Sequence, residues 1–357
     1  MKIANRLQKL HQRMAEQEID AFLISQPENR YYLSGFDGSS GFLLITLQNA
    51  ILATDFRYIE QAKIQAPDYE IFRIANNAAD WLPGLVAKLN FKRLGFEAGH
   101  ITYALYQQLT DILGKAEPQL KLVPLDGLVE SLRARKEPEE IELITRAVEM
   151  ADNAFEYIKD IIHTGMTEKE LAWEIEKFLR EKGSQTVPFD IIVASGPNSA
   201  LPHAKPSSCA IRPGEPIIID IGARCEGYSS DLTRTICLGI PDDTFNKVYD
   251  TVLRAQQAAL TAIQAGMTGD QADSLARAII EQAGYGEAFG HALGHGIGLA
   301  PHEQPRLGPR SLEFLVDGMV FTIEPGIYLT GWGGARIEDD VIMESGKVRA
   351  ISKAGGI

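Results

Sequence analysis

The sequence predicts a small α/β domain followed by a larger α+β domain built from a duplicated helix–helix–β-ribbon unit. Three observations carry this prediction. Over the first third of the chain, short β-type runs alternate with helical periodicities. A long 3.6-residue apolar stripe then opens the second part. From residue 164 onward the order capping box, helix, acid-bearing β run occurs twice.

Taken in order, residues 1–20 have the amphipathic pattern of a helix with mixed charges. Residues 21–24, 41–46 and 51–54 read as short strands separated by turn residues. Residues 81–89 and 103–113 read as helices, and 93–96 and 120–123 as strands. These elements define an N-terminal α/β domain over 1–125. Within it, SGFDGSSG (34–41) is a Gly/Ser loop, either a plain connection or a surface turned to a substrate. The charged stretch SLRARKEPEE (131–140) lies at the boundary, so 126–136 is expected to be a linker and 137–357 the second domain. The first helix of that domain carries Ile141, Ile144, Val148, Ala151, Phe155, Ile158 and Ile162 on one face.

Composition sets outer limits. At 357 residues the chain can hold two domains with cores of their own. No apolar run approaches the roughly 18–20 residues of a membrane span, and the N-terminus lacks the apolar core and cleavage site of a signal peptide. A cytoplasmic protein with no membrane association is expected. Three cysteines at positions 209, 225 and 237 match neither a disulfide framework nor a zinc ribbon. A net charge of −13 argues against nucleic acid as a partner.

The most informative stretch is PIIIDIGARCEGYSSDLTRTICL (216–238). Two β runs, 217–221 and 229–238, flank a Gly-containing turn and read as an antiparallel ribbon. Asp220 lies inside the first run and Asp231 inside the second. An ionised carboxylate in an apolar strand is costly unless something compensates it. Either a bound cation does so, or one Asp caps a turn and the other is solvated at an edge.

The rest of the chain bears on that choice. TGMTEKEL (164–171) recurs as AGMTGDQA (265–272), 101 residues later, each following a long helix and opening another. Thr167 with Glu170 and Thr268 with Gln271 form matching capping boxes. PGEPIIIDIG (213–222) aligns with DGMVFTIEPG (317–326), which sets Asp220 opposite Glu324. The next β run of each half carries Asp231 or Glu338. A pseudo-twofold domain would gather the four carboxylates at its axis.

Between the acid pairs lies GHALGHGIGLAPHE (290–303), with three histidines among four glycines. No HExxH pattern, GxSxG elbow or P-loop is present. Four carboxylates and one imidazole form an oxygen-rich set suited to two divalent ions, Mn2+, Co2+, Fe2+ or Zn2+.

At these residues the chain resembles the pita-bread metallopeptidases: methionine aminopeptidase, prolidase and aminopeptidase P. The match covers roughly 137–345 and rests on Asp220, Asp231 in SSDLTRT, His295 in GHGIG, Glu324 in TIEPGIY and Glu338 in RIEDD. LSGF and TDxRYxxQA in the first domain resemble the creatinase-like domain of the proline-specific branch. LPHA (201–204) and APHE (300–303) resemble its two additional histidine motifs.

The resemblance implies a dinuclear-metal hydrolase that cleaves the peptide bond before proline by attack of a metal-bridging hydroxide. It implies that Asp220 chelates one metal, that Asp231 and Glu338 bridge, and that His295 and Glu324 complete the second site. Glu324 would relay a proton to the leaving nitrogen, His302 and His203 would donate to the oxyanion or substrate backbone, and His291 would line the proline side. Arg336 and Tyr328 would support the site from behind or contact substrate, or else be a surface ion pair and a core aromatic. The expected substrate is a small peptide with proline at the second position. The second domain, in an expected homodimer, would cap the substrate's amino end. Alternatives are a methionine-type aminopeptidase, a non-catalytic partner-binding member of the fold, and a creatinase-like amidinohydrolase. The TDxRYxxQA segment leans toward an aminopeptidase and the short length toward a dipeptidase. His11, His100 and His163 lie outside any cluster and read as ordinary residues.

Overall fold

The computed structural model describes residues 3–75 and 78–355. Met1 and Lys2, the start of the expected first helix, and residues 356–357, the end of the expected second domain, lie outside them. The described chain divides into two compact units, Met1–Arg133 and Ala134–Ile357.

The first unit runs α1 (Ile3–Glu16), β1 (Ala21–Ile24), α2 (Pro27–Ser34), β2 (Phe42–Thr46), β3 (Ala50–Thr54), α3 (Ile59–Gln65), β4 (Glu70–Arg73), α4 (Ala78–Leu89), β5 (Arg93–Glu97), α5 (Tyr103–Ala116), β6 (Lys121–Leu125) and α6 (Glu130–Ala134). Its six strands form one mixed sheet in the order β4-β3-β2-β1-β5-β6. The central strand β1, AFLI, is buried throughout, as a strand covered on both faces must be. α2, α3 and β4 were not legible as elements. α2 has only eight residues, with Pro27 at its start and Gly35 (φ 76°) closing it, and β4 is a half-buried edge strand without a clear alternation. Leu128, Val129 and Arg133 are buried, so this part of the expected 126–136 linker packs as first-unit structure.

The second unit contains α7 (Pro138–Ile161), α8 (Glu168–Glu181), β7 (Ile192–Ser195), β8 (Pro216–Ile221), β9 (Arg224–Cys225), β10 (Tyr228–Ser229), β11 (Leu232–Cys237), α9 (Asp243–Ala262), α10 (Gly269–Gln282), β12 (Gly294–Gly296), β13 (Glu303–Leu307), β14 (Val320–Ile323), β15 (Gly326–Leu329), β16 (Gly333–Arg336), β17 (Asp339–Glu344) and β18 (Lys347–Ala350). Both capping boxes form: Thr167 Oγ1 accepts from Glu170 N, Thr268 Oγ1 from Gln271 N, and each acidic or amide side chain accepts from the threonine N–H. The α7 stripe buries Ile144, Val148, Ala151, Phe155 and Ile158, and the last three share a core cluster with Ile217, Ile219 and Ile221 of β8. α9 and α10 do the same for Phe321, Ile323 and Val341.

The two sheets repeat one plan. β8 lies between β7 and β11, and β14 lies between β12 and β17, all antiparallel. They meet where Glu338 N–H donates to Thr233 O at 3.0 Å and Arg336 N–H to Thr235 Oγ1 at 2.9 Å. The ribbon differs from expectation in one respect. β11 begins at Leu232, opposite Ile221, and residues 229 and 228 belong to a separate turn ribbon with β9. Asp231 therefore sits one residue before the strand, as Glu338 does before β17, while Glu324 sits one after β14. Only Asp220 lies within a ladder.

Candidate metal centre

The sheet register decides which side chains can meet. Asp220 is opposite Thr233 on one side and Ile192 on the other. Asp231 precedes Thr233 by two residues, so the pleat turns both to the Asp220 face. In the second half, Glu338 precedes β17 by one residue and its N–H is tied to Thr233 O. Thr233 Oγ1 donates to Glu338 Oε2 at 2.5 Å. One threonine thus aligns acids from both halves, and Arg336 Nε donates to the same hydroxyl at 3.1 Å.

Asp231, His295 and Glu338 each offer a ligand atom, and these atoms lie within 4.8 Å of one another. His295 Nε2 is 3.8 Å from Asp231 Oδ2 and 3.3 Å from Glu324 Oε1. Its Nδ1 lies 3.1 Å from Gly296 O, which assigns the ring proton to Nδ1 and leaves the Nε2 lone pair facing the acids. Thr322 Oγ1 accepts from His295 N–H at 3.2 Å and donates to Glu324 Oε1 at 3.2 Å. Asp220 Oδ2 accepts from Arg336 Nη2 at 2.6 Å. Its Oδ1 is buried without a hydrogen-bond partner among the described residues. The five residues are thus brought to one place, with Asp231, His295 and Glu338 the tightest group.

Burial first, then the neighbouring carboxylates, pushes the Asp231 and Glu338 carboxyls well above their ordinary range. Burial pushes Glu324 up to about 8 and holds His295 down to about 3, with His302 adding to the effect. A fifth acid, Asp340, is also pushed up by burial, and its Oδ2 accepts from Asp231 N–H at 2.9 Å. Buried like charges of this density need a cation or protons. The orphaned Asp220 Oδ1, the unprotonated Nε2 and the mutually repelling carboxylates fit divalent metal ions.

The remaining expected residues fall around this cluster. The His302 ring centroid lies 4.1 Å from that of His295, and burial holds its pKa below the ordinary histidine value. His203 is exposed. His291 uses both ring nitrogens inside the protein, with Nδ1 2.8 Å from Ala292 O and Nε2 3.0 Å from Tyr328 Oη, so it offers a ring face rather than a free hydrogen bond. Arg336 is buried and donates to Asp220, Thr233, Tyr328 Oη (2.8 Å) and Pro202 O (3.2 Å). The surface ion pair considered for it is therefore excluded, because its fork is occupied behind the carboxylates. Tyr328, pushed up to about 12 by burial, links Arg336 to His291. Arg277, paired with Asp273 at 2.6 Å, donates to Phe289 O and His291 O at 2.8 Å each and so fixes the His291 segment.

Sequence reasoning missed Thr233, Thr322, Asp340 and the buried Lys136–Glu303 pair (2.7 Å) beside His302. The threonines look like ordinary strand residues. The acidic run Glu338–Asp339–Asp340 in a β segment was the available signal for Asp340.

With this geometry in view, comparisons with known proteins place the chain. Residues 142–345 match metallopeptidase family M24, and residues 6–135 match the creatinase/prolidase N-terminal domain. A solved Xaa-Pro dipeptidase from Bacillus anthracis superposes with a TM-score of 0.95 at 42% identity, covering 100% of this chain and 99% of that one. An X-Pro aminopeptidase from Thermotoga maritima superposes with a TM-score of 0.89 at 39% identity over 98% and 99%. An Xaa-Pro dipeptidase of Pyrococcus furiosus is 36% identical over 98% of this chain and 97% of its own. Full-length matches to pita-bread peptidases, together with the acid cage at the junction of two repeated sheets, establish that this chain belongs to metallopeptidase family M24 and carries a creatinase/prolidase N-terminal domain.

Proposed function

We propose that the protein is a dinuclear Xaa-Pro peptidase that hydrolyses the bond before a proline in short peptides. The carrying observation is the buried group Asp231, His295 and Glu338, with Asp220 and Glu324 beside it and His302 against His295. Two ions, Mn2+ or Co2+ first, would be held by these five residues and, when bound, would supply Lewis acidity and keep the carboxylates ionised.

The chain's own groups have separable tasks. Arg336 and Thr233 orient Asp220 and Glu338. Glu324, whose Oε1 lies 3.3 Å from His295 Nε2 and accepts from Thr322 Oγ1, takes a proton from water and delivers it to the leaving imide nitrogen, which has none of its own. His302, neutral near pH 7, donates to the oxygen that gains charge, and His203 binds the substrate backbone. The His291 ring face and its Tyr328 support line the proline side.

Relatives named Xaa-Pro dipeptidase favour a dipeptide substrate, and the likeness to an X-Pro aminopeptidase favours longer peptides. Rates on an Xaa-Pro dipeptide, an Xaa-Pro-Ala tripeptide and Ala-Ala, at fixed Mn2+, separate them. Loss of the tripeptide alone identifies the dipeptidase, while equal cleavage of Ala-Ala overturns the proline requirement. A cytoplasmic homodimer belongs to the same reading, and light scattering on the purified protein checks the oligomer.

A further inference from the structure

The two motif histidines His203 and His302 lie on corresponding segments, each following the strand that pairs with a central strand. The segments are held differently. After β12 the chain turns and comes back as β13, with Gly294 opposite Leu307 and His295 opposite Arg306. The His302 turn is therefore closed by a backbone ladder. After β7 the chain makes a 3-10 turn over Gly196–Ala200 and forms no strand before β8.

In place of a ladder, the far end of the segment is tied to the start of α8, where Lys169 N–H donates to Ser207 O and Glu168 N–H to Cys209 O at 3.1 Å each, and one carboxylate joins the two ends. Glu168, the first residue of α8, is fully buried. Its Oε1 accepts from Ser195 N–H at 2.7 Å, Ser195 Oγ at 2.9 Å and Asn198 Nδ2 at 3.1 Å. Its Oε2 accepts from Ser207 N–H at 2.9 Å, Ser207 Oγ at 2.7 Å and Asn198 Nδ2 at 3.2 Å. Ser195 and Ser207 are the two ends of the segment that carries His203. The same segment presents Pro202 O to Arg336. The residue corresponding to Glu168 in the second half is Gly269. A Cβ there would lie 2.0 Å from Arg306 O and 2.7 Å from Ser311 Oγ. The β13 side of the hairpin occupies the space that the carboxylate fills in the first half. The clip and the hairpin are alternative ways to close one loop.

We propose that Glu168 is a positioning residue of the peptidase site, clipping both ends of residues 195–207 so that His203 is held for the substrate. The proposal rests on the reading of His203 given above. It has a specific chemical requirement, because two backbone N–H groups point at two oxygens of one side chain. Glu168→Gln puts an NH2 against one of those N–H groups. A serine hydroxyl can rotate to accept, but a backbone N–H cannot.

The test uses the full-length protein with Mn2+. In Glu168→Gln, amide exchange should accelerate at least about tenfold within 196–207 and not in α7 or β8. The kcat for Xaa-Pro hydrolysis should fall roughly 10–100-fold, the scale of a misplaced group, with metal content unchanged. In a His203→Ala background the same substitution should add almost nothing to the loss. If Glu168→Gln fails to fold, Asn198→Ala removes the donor shared by both oxygens and should give the same pattern, more weakly. Exchange that stays unchanged, exchange that rises evenly across the unit with loss of metal, or losses that multiply in the double variant would each overturn the proposal. A wild-type protein inactive on Xaa-Pro substrates would remove the peptidase reading alone. The exchange pattern and the His203 ring resonances would then decide the clip.

Discussion

The two halves of the catalytic unit share one scaffold but contribute different chemistry. The first supplies Asp220 and Asp231, and the second supplies Glu324 and Glu338 at the corresponding places. The registers Ser195 opposite Ile217 and Gly296 opposite Phe321 make Ala194 the counterpart of His295. The cage therefore has four acids by repetition and one imidazole by divergence. The supports diverge too: Asp220 is held by a cationic guanidinium and Glu324 by a threonine hydroxyl. Burial pushes the Glu324 carboxyl up to about 8, with Arg336 opposing the rise. Repetition builds the container, and the departures from it give its two halves different supports.

This contrast can be broken at several points. Asp231→Asn removes charge from the part of the cage shared by both halves and should have the largest effect. Elemental analysis should find less than one bound ion, with hydrolysis reduced beyond the roughly 10²–10³-fold of a single lost donor. His302→Ala should keep both ions and lose on the order of 10²–10³ in kcat, while full activity in steady-state assays would remove its assigned role.

Chelation sharpens the electrostatic side. Glu324 rises from an ordinary 4.5 to about 8 in the fold, so the folded state binds more protons than the unfolded one between those values. The metal-free protein should lose stability as pH rises through that window. Mn2+ should restore it most strongly at the alkaline end, as calorimetric melting midpoints would record. Lys136→Met breaks the buried ion pair with Glu303 and should cost about 3–5 kcal/mol in denaturant unfolding. Ala194→His tests the asymmetry itself. Ala194 is buried, so the added ring should cost about 1–3 kcal/mol by overpacking and should not replace His295 as a ligand in a His295→Ala background.

Much of this was legible in the sequence because repetition is a long-range signal. The GMT capping boxes and the acid-bearing β runs specify local structure and recur in one order, so they pointed to the four acids, whereas His295 was singled out among three histidines only by the family resemblance. The sheets then corrected the local detail. Asp231 was read inside a strand because its neighbours are β formers, but the β9–β10 ribbon takes up the residues before it. Arg336 and Tyr328 could not be assigned because a buried arginine and a surface one look alike in sequence until the register sets Arg336 against Asp220. Thr233 was invisible for the same reason. Glu168 carried no signal of its own, since its partners Ser195 and Ser207 are distant in sequence and unremarkable in type. In the first unit, α2, α3 and β4 were missed because elements of eight, seven and four residues are too short to show a period.

The central claim is that the repeated sheets create a cage whose charge is balanced by two divalent ions. Titration of chelator-treated protein with Mn2+, followed by calorimetry and elemental analysis, tests it most directly. Two ions per chain, falling below one in Asp231→Asn, is the predicted result. A folded chain that takes up no ion would contradict the account.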